Sequence, residues 1–196
     1  MNVRNQAQII RDAVKILQHG GVIVIPTETT YGFSCDPRNG QAVNKIISLK
    51  GRDAVKGFLW IASDLEQVKR AVHLQGVASL FAKKYWPGPL TMVLPRRDGK
   101  GDIGIRVSSS QFVQDLVHAF GHPLVSTSAN VSGQPPLQSA RAIRNEFAHR
   151  SMQPDFICDG GYVPKRKPST IISFQGEGVR VLRQGSVRIP KSNRIA

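Results

Sequence analysis

Cysteine is close to absent. Cys35 and Cys158 are the only two in 196 residues, too few for a disulfide-stapled module. Neither has a second cysteine beside it, so a buried structural role is expected for both. No apolar run approaches the ~20 residues a membrane helix requires. Met1 to Gln8 also lack the apolar stretch of a signal peptide. No membrane attachment is expected, and a reducing, cytoplasmic location is the default. His118 and His122 stand four apart, but Gly121 interrupts the helix between them, so no metal pair is expected. No Gly-x-Gly-x-x-Gly follows an apolar run, and Gly99-Lys100 has Leu94 where a phosphate loop would carry its leading glycine. Acidic residues are scarce as well: 13 Asp and Glu against 27 Lys and Arg, a formal charge of +14.

What remains is an ordinary globular composition, 40% apolar and 20% charged, which excludes a disordered chain. The length suits one domain. The surplus charge favours polyanions such as RNA, DNA or nucleotide phosphates. Half of it lies from Tyr162 onward, where eight Lys and Arg face Glu177 alone. A solvated, solubilising segment explains this equally well. Tyr162 and Phe174 are the only aromatics there, so any nucleic-acid contact would be to phosphates and therefore salt-sensitive.

Apolar periodicity predicts helices over 6–19, 41–49, 77–85 and 140–149, one running to Val72 from a cap at Ser63 or Asp64, and one running through Phe120 from a cap at Ser109 or Ser110. It predicts strands over 22–25, 58–61, 90–94, 103–107, 124–127, 156–158, 170–174 and 179–182. The interleaving implies a single α/β domain over 1–188, with a twisted, mixed, partly parallel sheet flanked by helices. A basic, flexible tail is expected over 189–196.

Four polar clusters sit at strand ends, where α/β domains place ligand contacts. Pro26-Thr27-Glu28-Thr29-Thr30-Tyr31-Gly32 carries three threonine hydroxyls and a carboxylate, more than a plain turn uses. Lys50-Gly51-Arg52, with Lys56 beyond, either relieves a helix C-terminal dipole or clamps phosphate. Trp86-Pro87-Gly88-Pro89-Leu90-Thr91 reads as a packing corner. Ser126-Thr127-Ser128-Ala129-Asn130-Val131-Ser132-Gly133 forms either an elaborate turn or a cradle for an anion or nucleotide. Arg106 breaks an otherwise apolar strand, and a buried arginine needs an anionic partner, either an acid or a ligand carboxylate.

In this order the clusters resemble the YrdC/Sua5 family of threonylcarbamoyl-AMP synthases. The matching strings are PTETTYG at 26–32, KGR at 50–52, WPGPLT at 86–91, IRV at 105–107, STSANVSG at 126–133, DGG at 159–161, STII at 169–172 and LRQG at 182–185. They span about 20–185, and the length is similar to that of the short, single-domain bacterial form. The resemblance implies a YrdC-like domain with a concave basic cavity. It implies a nucleotidyltransferase that joins L-threonine, bicarbonate or CO2, and ATP with Mg²⁺ into threonylcarbamoyl-adenylate and diphosphate. A downstream threonylcarbamoyl transferase would then modify adenosine 37 of tRNAs reading codons that begin with A.

Carried onto this chain, Lys50, Arg52, Ser128 and Asn130 match the catalytic tetrad that holds phosphate and adenylate. Thr29, Arg106, Ser126 and Ser169 match threonine-binding positions, with Arg106 on the carboxylate. Lys56 and Arg183 match the nucleotide side. Three departures stand out. Asp53 replaces a common proline, Lys56 replaces an asparagine of longer members, and Ile61 replaces their histidine, a threonine contact. Lys165-Arg166-Lys167 lies where members vary, and would close over the nucleotide or touch RNA. The main alternative is a non-catalytic basic module that binds structured RNA or tRNA. A relative acting on another carbamate, like the similar domain of hydrogenase-maturation proteins, is a third.

Overall fold

The computed structural model describes residues 3–51 and 57–190. Nine strands form a single mixed sheet in the order β7-β1-β2-β6-β3-β5-β4-β8-β9. The strands are β1 (Ile23–Pro26), β2 (Tyr31–Ser34), β3 (Leu59–Ala62), β4 (Leu90–Pro95), β5 (Asp102–Val107), β6 (Leu124–Ser128), β7 (Phe156–Ile157), β8 (Thr170–Gln175) and β9 (Gly178–Arg183). The pairs β1/β7, β3/β5 and β4/β8 are parallel and the remainder antiparallel. The helices are α1 (Val3–Gln18), α2 (Gly40–Lys50), α3 (Leu65–Ala71), α4 (Gly76–Tyr85), α5 (Gln111–Phe120) and α6 (Ala140–Phe147).

The period-two rule for strands explains the layering. Ile23 and Ile25 of β1 face one side, against Ala13 and Leu17 of α1 and Leu116 and Val117 of α5. Val22 and Val24 face the other side, with Ile46 of α2, Phe147 of α6 and Phe33. A strand covered on both faces reads as a continuous apolar run. The second half of the sheet, β4, β5 and β8, packs on α3 and α4 through Met92, Ile105, Ile172, Val68 and Phe81. Ile61 is fully buried in the α1/α5 layer.

Local signals end the helices as expected. Asp64 accepts from the Gln67 N–H and caps α3, and Gly121, at φ 87°, closes α5. Ser110 stands at the N-cap of α5 but makes no side-chain capping bond. Instead its N–H donates to Ser108 Oγ. Trp86 is a packing corner: it is buried, and its Nε1 donates to Leu90 O at 2.6 Å. Cys35 and Cys158 are buried free thiols. Burial pushes both thiol pKa values up to about 12, with Asp36 adding to the effect at Cys35.

Two features differ from the sequence expectation. The motif after β1 does not remain a loop: it turns at once into β2, making a hairpin. Ile189, placed in the expected tail, is buried with the β4–β8 core cluster. Residues 191–196 lie outside the described residues.

Candidate active site

The site is assembled around β6, which joins β2 to β3 within the sheet. Its N-terminal half pairs with β3, Leu124 to Ser126 opposite Ile61 to Leu59. Its C-terminal half pairs with β2, where Thr127 faces Phe33 and Ser128 faces Gly32. The hydroxyls of 126–128 therefore lie on the seam between the two halves. They line a cavity of about 370 Å³. Thr29, Arg106, Ser126, Ser128, Ser169 and Arg183, all singled out by sequence, line this same cavity. They come from five separate stretches of chain.

The loop of residues 27–30 is fixed by Thr27. Its Oγ1 donates to Thr30 O at 2.7 Å and accepts from the N–H groups of Thr29 and Thr30, each at 3.2 Å. This is a Ser/Thr turn, so the local bonds that could have been the motif's whole purpose also hold Thr29 at the cavity wall.

The opposite wall is a polar lattice. Thr91 donates to Ser169 Oγ at 2.9 Å, and Arg183 Nη2 reaches Ser169 Oγ at 3.0 Å and Ser169 O at 2.9 Å. Partial burial, then the nearby charge of Arg106, hold the Arg183 pKa below the usual arginine value. Thr170 Oγ1 accepts from the N–H groups of Gly185 and Val187, pinning the turn after Arg183. Only glycine fits at 185, because a Cβ there would lie 2.1 Å from Pro168 O.

Arg106 is 4% exposed. Its Nη1 donates to Glu28, and Ser108 Oγ donates to the other carboxylate oxygen of Glu28. Of the two partners that a buried arginine could have, the protein itself supplies an acid.

Lys50 ends α2, and Gly51 at φ 57° caps that helix. The lysine side chain is 3% exposed and does not line the cavity. Its Nζ donates to Ser128 O at 2.7 Å and to Asn130 O at 3.1 Å, while Ser132 N–H donates back to Lys50 O at 2.8 Å. Lys50 and the STSANVSG string are thus zipped together behind the cavity wall. Asn130 is likewise buried; its Nδ2 donates to Val131 O and Gln134 O, and among the described residues its Oδ1 is buried without a partner. Arg52 and Lys56 lie outside the described residues.

Two side chains at the site, Glu28 and Ser108, carried no assigned role in sequence, whereas Arg166 belongs to the basic segment expected to close over the nucleotide or touch RNA. Arg166 lines the cavity and its Nη1 reaches Glu28 O at 3.4 Å. Glu28 was visible as the one acid among the hydroxyls, yet its partner lies 78 positions away. Among the described residues, no group of three or more His, Cys, Asp or Glu converges as a metal site. Nor is any helix of those residues long and apolar enough to cross a membrane.

A Sua5/YciO/YrdC family model, described as telomere recombination, matches residues 15–185. A threonylcarbamoyl-AMP synthase of Idiomarina loihiensis is 37% identical over 164 residues, 78% of this chain and 87% of that protein. One from Thiobacillus denitrificans is 39% identical over 167 residues, 81% and 87% of the two chains. The crystal structure of P. abyssi Sua5 complexed with L-threonine superposes with a TM-score of 0.80 at 29% identity. That match covers 90% of this chain and 54% of the other, so this chain spans about half of that protein's length.

Proposed function

The chain belongs to the Sua5/YciO/YrdC family, and from that footing we propose that it makes threonylcarbamoyl-adenylate from L-threonine, bicarbonate or CO2, and ATP. The nitrogen of threonine is carboxylated first. The carbamate oxygen then attacks the α-phosphorus of ATP, the bond to the β-phosphate oxygen breaks, and diphosphate leaves. With bicarbonate as the carbon source, one water is also released.

One observation carries this reading: hydroxyls and guanidinium groups from five chain segments converge on one cavity. The reaction brings one anion onto another, so fixed positive charge lowers its barrier. Arg106, Arg166 and Arg183 supply that charge here. No described side chain is placed as a covalent nucleophile, and the scheme requires none. Positioning and electrostatics do the work. The half-enclosed cavity would also limit hydrolysis of the carbamate and the adenylate.

In the proposed assignment, Arg106 receives the threonine carboxylate, and Thr29, Ser126 and Ser169 complete that pocket. The P. abyssi relative was crystallised with L-threonine. Ser128 and Arg183 face the nucleotide, with Arg52 and Lys56 assigned there from the motif alone. Lys50 and Asn130 hold the β6 loop in shape from behind. Mg²⁺ enters as part of the ATP substrate, and no step is routed through a metal held by protein. The exposed Lys165 and Lys167, on the segment that brings Arg166 to the cavity, are the proposed contacts for tRNA phosphates. A downstream transferase would take the adenylate onward.

A purely RNA-binding module would have no use for a buried, acid-paired Arg106 lining a cavity. The deciding experiment supplies ATP, Mg²⁺ and bicarbonate with each amino acid in turn. Diphosphate and a threonylcarbamoyl-adenylate mass are expected with threonine. Diphosphate release that does not depend on both threonine and bicarbonate refutes the proposal.

A further inference from the structure

Glu28 is held more tightly than a loop acid needs to be. Its side chain is 11% exposed, and its carboxylate is divided between two buried groups, Arg106 Nη1 on one oxygen and the Ser108 hydroxyl on the other. Both ends of this relay are anchored. The Thr27 turn fixes the Glu28 backbone. Ser108, wholly buried, also accepts from Ser110 N–H at the start of α5.

A guanidinium has five N–H donors in a rigid plane. Among the described residues Glu28 is the acceptor that Arg106 meets, through Nη1. The plane is thereby oriented while other donors of the fork remain for the cavity that Arg106 lines. Arg166 and Arg183 line the same cavity. Without Glu28, Arg106 would be a buried cation facing two others with no counter-charge, a costly state.

We propose that Glu28 is a positioning residue for amino-acid recognition: braced by Ser108, it aims the Arg106 guanidinium at the substrate carboxylate. This rests on the threonylcarbamoyl-adenylate reading above. A rival arrangement has the opposite consequence. Were Glu28 an internal competitor that the substrate carboxylate displaces, removing its charge would tighten threonine binding.

The test uses the full chain and L-threonine as the probe. Glu28→Gln keeps an acceptor oxygen and the volume but loses the charge. Ser108→Ala removes only the brace. Calorimetry gives the Kd for threonine, and steady-state diphosphate release gives separate KM values for threonine and ATP. Wild type is measured first: if it binds threonine but releases no diphosphate with bicarbonate and ATP, the functional reading fails and the positioning role is still judged from Kd. Losing one charge-assisted bond predicts about tenfold weaker threonine binding in Glu28→Gln. About two- to threefold weakening is expected in Ser108→Ala, with the ATP KM changed by less than about twofold in both. Unchanged or tighter threonine binding in a folded Glu28→Gln overturns the inference. So does an ATP KM that rises in step with that for threonine. If Glu28→Gln does not fold, Ser108→Ala decides by the same two criteria.

Discussion

Replacing Lys50 by methionine separates a chemical role from an architectural one. The side chain is 3% exposed and its ammonium bridges Ser128 O and Asn130 O. Methionine fills the space of the stem but donates nothing. A hydrogen bond from a charged group contributes about 1.5–3 kcal/mol, and a buried acceptor left unpaired costs about 1–3 kcal/mol. Allowing for relaxation of the loop, Lys50→Met should lose roughly 2–5 kcal/mol of stability. For a domain of this size each kcal/mol corresponds to about 2–4 °C, so the Tm should fall by roughly 4–20 °C. Thermal melts followed by circular dichroism read this directly. Diphosphate release, measured well below the lowered Tm, should drop by about tenfold or more because Ser128 moves with its carbonyl. A Tm within about 1 °C of wild type, smaller than the loss of any such bond predicts, refutes the buried-bridge account. If activity is then also lost, Lys50 acts on the substrate rather than on the loop.

Arg106→Ala should raise the threonine KM by about tenfold or more while moving the ATP KM far less; an unchanged threonine KM in steady-state assays removes Arg106 from the pocket. Tyr31→Phe should cost about 1 kcal/mol, because the phenol accepts from Gly160 N–H and donates to Gly161 O; hydrogen exchange at Gly160 should speed up, and unchanged exchange would mean the phenol does not hold that loop. Cys35 and Cys158, raised by burial to about 12 from 9.0, stay protonated in the fold while the unfolded chain ionises. Stability is therefore complete below pH 9 and falls as pH rises toward 12, by about 1.4 kcal/mol per pH unit for each thiol. Denaturant unfolding between pH 8 and 10 should show a shallower loss in Cys35→Ala than in wild type, and equal slopes would contradict the assignment. Any tRNA affinity should drop steeply with added salt, and salt-insensitive binding would exclude phosphates as the main contact.

The strand pattern was most legible where an apolar run is covered on both faces, as in β1. Val22 to Ile25 could hardly be anything but a strand, and α1 shows its face through Ile9, Ala13, Ile16 and Leu17. The β2 strand was not legible. Its hairpin turns through a threonine-built loop without the Asn-Gly or Gly signals that mark tight hairpins, and its polar lead-in drew attention as a motif. Six of the residues that the resemblance assigned line one cavity. The roles were less legible. A lysine at a helix end reads as dipole relief or as a phosphate ligand, and nothing local announces that it dives between two carbonyls. The pairing of Glu28 with Arg106 depends on how β5 lies against the β1–β2 turn. That is a tertiary fact with no spacing rule behind it.

β6 lends three residues to one flank of the sheet and two to the other. Inserting a single amino acid there would turn every later side chain of the strand over and part the two flanks together. Such a splice gives occupancy a mechanical meaning. Under the proposed assignment, a molecule gripping Thr29 on one side and Arg106 on the other would rivet the flanks across the join, and the filled protein would be a stiffer body than the empty one.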